Sequence, residues 1–478
     1  MTNELLLMTT VEQSAALAKG EISSRDLTRA YLAEIEARDG LIGAYLTLNA
    51  EGALRAADAS DKRRACGESL GPLDGIPYAA KDNFCTKGLR TTCGSQFLRE
   101  FVPPYDATVI ARLQAAGAIL LGKLNMDEFA MGSSGELSAL GKTKNPVDPA
   151  FVTGGSSSGS AAAVAANEAS FALGSDTGGS VRQPAAFCGV LGLKPTYGVL
   201  SRYGLVAMAS SLDCVGLVGK AAADLAPVLG TLVGKDPLDA TSRTHPAPQF
   251  APVAPLSPLR VAVVRELMTP EAVTPSVALA CRRAVELLEA EGALVEEVSL
   301  PSPELALASY CVLSAVEAAS NMARYDGVRF GTRVSNASVL QTLYEENRSV
   351  GFGEEVKRRI LFGSHMLTRG KRELYYGAAR AARNEIFEKM HALLCEYDLI
   401  LNPTVPSGAF RRGDALSPSM ERRADLCAVY ASLAGLPAIS IPFGRDENGM
   451  PLGIHFTAAR YRERLLLEVA RFFEEVRA

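Results

Sequence analysis

The stretch Thr153-Gly154-Gly155-Ser156-Ser157-Ser158-Gly159-Ser160, running straight into alanine-rich helix formers, constrains this chain more than any other segment. It is followed by Phe171-Ala172-Leu173-Gly174-Ser175, apolar enough for a buried strand. A second glycine–serine turn comes next, Asp176-Thr177-Gly178-Gly179-Ser180-Val181-Arg182. Paired glycines ahead of a helix leave backbone N–H groups open to close approach, and a helix N-terminus favours negative charge there. Three uses compete. A flexible linker has no need of the helix formers and strand-like run that flank the tract. A phosphate loop requires G-x-x-x-x-G-K-[ST], and no Lys or Thr follows Gly159. The third use is an oxyanion hole with its serine nucleophile. The N–H groups of Thr177, Gly178, Gly179 and Ser180 would face the developing charge, with Ser180 Oγ beside them.

A serine nucleophile needs a base. The four histidines, at 245, 365, 391 and 455, all lie well downstream. His245 precedes a proline in a Pro/Ala/Thr-rich connection, and the other three fall in helix or strand patterns that suit structural roles. Lys81 ends the apolar, strand-like run Ile76 to Ala80. A lysine buried there would lose its charge to desolvation, and the neutral amine could take a proton. On composition alone a solvated Lys81 is the default reading.

The rest of the chain has the texture of an α/β protein. The first 65 residues read as helices: one opened by the Thr9/Glu12 capping box and stopped at Gly20, a second after Ser24 ending at Asp39-Gly40. Strand–helix–strand patterns recur at 76–80, 107–116 and 118–121, and again at 259–264, 276–291 and 293–299. Further strands are expected at 398–401, 438–442 and 453–457. A closing helix carries Leu465, Val469, Phe472, Phe473 and Val476 on one stripe. Residues 236–258 read as a surface connection, and 304–396 as an Arg-rich, mainly helical segment. The whole is read as one domain, 1–478, with N-terminal helices to 65, a core at 66–230 and the helical segment packed on it.

The 478 residues are 48% apolar and 21% charged, an ordinary globular balance, and the net charge of -4 has no basic surplus for gripping phosphate backbones. Nine scattered cysteines form no CxxC pair, which suits reduced thiols in the cytoplasm. The N-terminus lacks a signal-peptide pattern and no apolar run reaches the length of a span, so neither secretion nor a membrane is expected.

The motifs G-G-S-S-S-G-S-A-A-A and D-T-G-G-S-V-R-Q-P-A-A-F-C-G, with K-D-N at 81–83, resemble the amidase signature family, and the spacings of Lys81, Ser156 and Ser180 agree with it. Other runs resemble one branch of that family, the glutaminase (A) subunits of tRNA-dependent Glu/Asp amidotransferases. They include Gly122 to Ser134, Gly192 to Gly198, Ser201 to Val206, Asn321 to Gly327 and Leu433 to Pro437. The resemblance implies a central mixed β-sheet covered by helices on both sides. It also implies a Ser–cis-Ser–Lys triad: Ser180 the nucleophile, Ser156 the proton relay with a cis peptide bond on one side of it, and Lys81 the ultimate base, with Ser157 the rival relay. Glutamine would be held by Arg359 (or its neighbour Arg358) at the carboxylate, Asp425 at the amine and Tyr310 nearby. The implied partners are B and C subunits, with tRNA, ATP and magnesium handled mainly by them, and no metal or cofactor in this chain. The chain departs from the family pattern at Thr153, Ser158, Gly135-Glu136-Leu137 and His455.

Overall fold

The apolar runs of the sequence become the strands of a single 11-stranded sheet in the computed structural model, which describes residues 2–243, 258–414 and 423–477. In chain order these are β1 (Tyr45–Leu48), β2 (Pro77–Lys81), β3 (Ile119–Leu124), β4 (Phe171–Asp176), β5 (Leu191–Lys194) and β6 (Cys214–Gly219). They continue as β7 (Arg260–Val264), β8 (Leu294–Val298), β9 (Leu399–Pro403), β10 (Ala438–Arg445) and β11 (Pro451–Ala458). The spatial order is β1-β3-β2-β4-β6-β5-β10-β11-β9-β7-β8. Strands β3, β2 and β4 run parallel, as do β9, β7 and β8; the remaining pairs are antiparallel, so the sheet is mixed.

Strand alternation shows that both faces are covered. On β7, Val261 and Val263 join one apolar cluster while Ala262 and Val264 join another; on β9, Leu399 and Leu401 divide from Ile400 in the same way. The first cluster includes Leu27, Tyr31, Leu113, Leu225 and Phe473 from helices Ser24–Ile42, Thr108–Ala115, Ala222–Leu232 and Glu463–Arg477. The second takes Leu313, Val356 and Ile386 from Pro303–Met322, Glu354–Met366 and Ala378–Glu396, the helical segment. Helix Pro303–Met322 is long and apolar enough to cross a membrane, but Ala306, Tyr310, Leu313 and Met322 are buried within the fold.

Several boundaries moved. The capping box at Thr9 forms and Gly20 ends that helix in the left-handed conformation, φ 70°. The next helix is capped by Ser23 and runs past Asp39-Gly40 to Ile42, because the left-handed turn sits at Gly43, whose N–H caps Asp39 O. The N-terminal region is not wholly helical: Tyr45–Leu48 is an edge strand, paired antiparallel to β3. Strands β5 and β6, hidden in glycine-rich sequence, are additional. The closing helix buries Leu465, Val469 and Phe473, but Val476 is exposed. Most of the 236–258 connection, His245 included, lies outside the described residues.

Candidate active site

Parallel strands β2 and β4 lie side by side, so their C-terminal ends bring Lys81 and Ser175 together. All five residues of β2 are buried, Lys81 completely. Its amine meets Ser156 Oγ at 2.7 Å, Ser157 Oγ at 2.9 Å, and Ser175 Oγ and O at 2.9 and 3.3 Å. Desolvation pulls the Lys81 pKa down from 10.5 to about 7, while the carboxylates of Asp127, Asp176 and Asp213 hold it up against that pull. A neutral amine at this pKa can accept a proton near neutrality.

The hydrogen-bond pattern separates the two candidate relay serines. Ser157 Oγ donates to Ser175 O at 3.2 Å and receives Ser175 N–H at 3.3 Å, so its proton is already committed. Ser156 Oγ makes the shortest contact to Lys81, and its preceding bond, Gly155–Ser156, is cis. That bond is packed on Asp127: a Cβ on Gly155 would stand 1.9 Å from Asp127 Oδ2. The same carboxylate receives the N–H groups of Gly135 and Leu137 at 3.1 and 3.0 Å. Gln183 receives the Gly155 N–H at 2.8 Å.

Ser180 lies in the next turn, almost fully buried at 5% exposure. Ser157 N–H donates to Ser180 O at 3.0 Å, tying the two glycine–serine turns through their backbones. Among the described residues no hydrogen bond joins the Ser180 and Ser156 hydroxyls, and none engages the N–H groups of Thr177, Gly178, Gly179 or Ser180. Asp176 and Arg182 staple the turn from beneath. They form a wholly buried two-pronged pair at 2.7 and 3.0 Å, and Asp176 also receives Val181 N–H at 3.1 Å. Arg182 in turn reaches Ala428 O at 2.8 Å and His455 Nε2 at 2.9 Å. Burial and Arg182 push the His455 pKa far down, so the ring is neutral and accepts from Arg182. This is the work of the unusual histidine in β11. Two other departures from the family pattern are also absorbed locally: Thr153 Oγ1 donates to Gly154 O at 3.0 Å, and Ser158 Oγ lies 3.2 Å from Thr143 Oγ1. Of the other described histidines, His365 contacts Lys371 and His391 contacts Ala434 O, so none serves Ser180.

The substrate candidates close over the same turn. A Cβ on Gly178 would meet Tyr310 at 2.4 Å, so this approach requires a glycine there, while one on Gly179 would come within 3.1 Å of Asp425 Oδ1, which would have to give by a few tenths of an ångström. Tyr310 and Arg359 line one small cavity together with Arg358, and the charges of Asp425 and Arg359 both reach the Tyr310 phenol. Arg359 anchors Nε on Glu355 Oε1 at 2.7 Å, leaving its terminal nitrogens for a ligand. Arg358 spends both Nε and a terminal nitrogen on Glu355 Oε2 and is the more exposed of the two. Sequence reasoning overlooked Ser175, Asp127, Asp176, Arg182 and Asp213. The only available signal was a pair of opposite charges flanking an otherwise small and apolar turn, Asp176 and Arg182.

A family model described as Amidase matches residues 26–467. The A subunit of glutamyl-tRNA(Gln) amidotransferase from Moorella thermoacetica is 50% identical over 477 residues, covering 99% of this chain and 97% of that one. The crystal structure of the same-named protein from Thermotoga maritima is 37% identical with a TM-score of 0.81, covering 98% of this chain and 95% of that one. The structure of native peptide amidase from Stenotrophomonas maltophilia is 30% identical, also with a TM-score of 0.81, covering 99% and 97%.

Proposed function

The chain belongs to the amidase family, and we propose that it is the glutaminase subunit of a tRNA-dependent amidotransferase. In this reading Lys81 takes a proton from Ser156, Ser156 takes one from Ser180, and Ser180 Oγ attacks the side-chain amide carbon of glutamine. The N–H groups at 177–180 stabilise the resulting oxyanion. Collapse returns the proton to the leaving nitrogen and expels ammonia; water then cleaves the γ-glutamyl ester to glutamate. The ammonia passes to partner B and C subunits, where ATP, magnesium and the mischarged Glu-tRNA(Gln) or Asp-tRNA(Asn) belong.

The observation that supports glutamine most directly is the placement of Tyr310 and Asp425 against Gly178 and Gly179, with Arg359 beside Tyr310. A carboxylate fits a two-pronged guanidinium and an ammonium fits Asp425, which together suit the α-groups of an amino acid. A stand-alone hydrolase of another small amide is the second reading, because the TM-score of 0.81 to a peptide amidase equals that to the Thermotoga protein. Arg359→Ala separates them: the KM for glutamine should rise at least tenfold while Ser180 still reacts with a small activated ester. An unchanged KM would overturn the glutamine assignment. Ser180→Ala should abolish ammonia release, and retained hydrolysis would overturn the mechanism. Co-purification with candidate partners, followed by glutamine-dependent amidation of mischarged tRNA, tests the assembly.

A further inference from the structure

We propose that Asp213 is a positioning residue for hydrolysis at Ser180, holding the oxyanion turn through the side chain of Thr177. The inference rests on the reading of Ser180 as nucleophile. Pairing of β4 with β6 sets Asp176 opposite Cys214, so the residue leaving β4 faces the residue entering β6. Thr177 Oγ1 accordingly donates to Asp213 Oδ1 at 2.8 Å. The carboxylate is buried, and its remaining lone pairs receive Met208 N–H at 2.9 Å and Ala209 N–H at 3.0 Å. Nothing else in the turn holds the Thr177 side chain among the hydrogen bonds of the described residues.

The loop that Asp213 organises is itself fastened to the helical segment. Asn321 donates to Met208 O at 3.1 Å, Ser211 N–H and Oγ donate to Glu317 at 2.8 and 2.5 Å, and Arg383 grips Ser211 Oγ and O at 2.9 and 3.1 Å. Glu317 and Asn321 lie on helix Pro303–Met322, which also carries Tyr310. The turn is therefore fixed from two sides by one helix: Tyr310 lies against Gly178, and the 208–213 loop reaches Thr177 through Asp213. A turn with paired glycines has little stiffness of its own. The Thr177–Asp213 bond limits rotation at the head of the turn, where the N–H groups must point at the oxyanion rather than at the ground-state carbonyl. Its loss should therefore act on kcat, because Arg359 and Asp425 are not touched by it.

The test is steady-state ammonia release from glutamine by the full chain. Thr177→Val removes the hydroxyl and should lower kcat about tenfold to a hundredfold, less than the loss of an oxyanion donor itself, with KM within about threefold. Thr177→Ser restores the donor and should recover most of that loss. Asp213→Ala removes the acceptor and should fall to a similar rate at pH 8, where the Lys81 amine is mostly neutral with or without the Asp213 charge, and at that pH the double variant should be no slower than the slower single, because both break one link. Parent-like kcat in Thr177→Val, no recovery in Thr177→Ser, or multiplied losses in the double variant would each overturn the proposal. If Asp213→Ala does not fold, the two Thr177 variants decide alone. Ser180→Ala assayed beside them keeps the two readings apart: if it is inactive while Thr177→Val is not impaired, only the role of Asp213 falls.

Discussion

The sharpest expectation concerns the pH dependence set by Lys81. Burial moves its amine from 10.5 to about 7, a differential cost of roughly 5 kcal/mol to the charged form at 1.36 kcal/mol per decade. In the proposed mechanism the neutral amine is the active base, so kcat/KM should rise with pH and level off above 7. About a tenth of the amine is neutral at pH 6 and about nine-tenths at pH 8, which predicts a rise of about tenfold followed by a plateau. A lysine left at its ordinary pKa would instead give about a hundredfold rise over the same interval, with no plateau. Lys81→Ala should lose about a hundredfold to ten-thousandfold in rate, and any residual rate should lack the acidic limb. Lys81→Arg should be equally slow, because the guanidinium keeps its proton across this range. The assay is ammonia release from glutamine between pH 5.5 and 9, analysed as kcat/KM. A limb that persists unchanged in Lys81→Ala would show that another group is the base.

Three further outcomes test buried charges and close packing in the core. Arg182→Ala leaves Asp176 charged and unpaired in the core, and should cost about 3–5 kcal/mol, read as a lower denaturant midpoint together with lost activity. Gly155→Ala drives a methyl group into Asp127 Oδ2 at 1.9 Å; the overpacking should cost at least about 1–3 kcal/mol, seen by thermal melting, and should abolish hydrolysis by displacing Ser156. Glu168 is fully buried, neither carboxyl oxygen finds a hydrogen bond among the described residues, and desolvation, helped by Asp39, raises its pKa from 4.5 to about 9. Between those values the folded chain holds a proton that the unfolded chain has lost, so stability falls as pH rises through that window. Glu168→Gln removes the dependence, and its gain over the parent should grow from pH 5 to pH 8 to at least about 2 kcal/mol; a constant difference would count against it.

What could be read in the sequence was what depends on neighbours in the chain. The apolar run 76–80 placed Lys81 at a strand end, and the two glycine–serine turns marked themselves by composition. What could not be read depends on long-range pairing. Tyr45–Leu48 is too short to show alternation and becomes a strand only because β3 offers an edge. In β6, Gly216 and Gly219 break the apolar pattern, yet the strand is central, and a Cβ on Gly216 would meet Val181 at 2.8 Å. The carboxylates were illegible for the same reason. Asp213 and Thr177 are separated by 36 residues, and Asp127 serves a cis bond formed in a different loop.

The architecture also explains how one fold can serve different amides. Lys81, Ser156, Ser175 and Ser180 are all held by β2, β4 and the two turns, and among the described residues their hydrogen bonds involve none from the helical segment. Tyr310 and Arg359 come from that segment, on helices Pro303–Met322 and Glu354–Met366, and Asp425 from the approach to β10. At Gly178 and Gly179 the absence of side chains lets Tyr310 and Asp425 come up against the turn, while Glu317, Asn321 and Arg383 reach it only indirectly, through the 208–213 loop and Asp213. Under the proposed function, substituting Tyr310 or Arg359 can therefore change what is bound while leaving the Lys81–Ser156–Ser180 path intact, which is the pattern expected when the Thermotoga maritima protein and a peptide amidase match the chain with the same TM-score of 0.81. Gly178 is needed by both halves. Gly178→Ala should therefore impair kcat and KM together, whereas changes confined to one half should move mainly one of them.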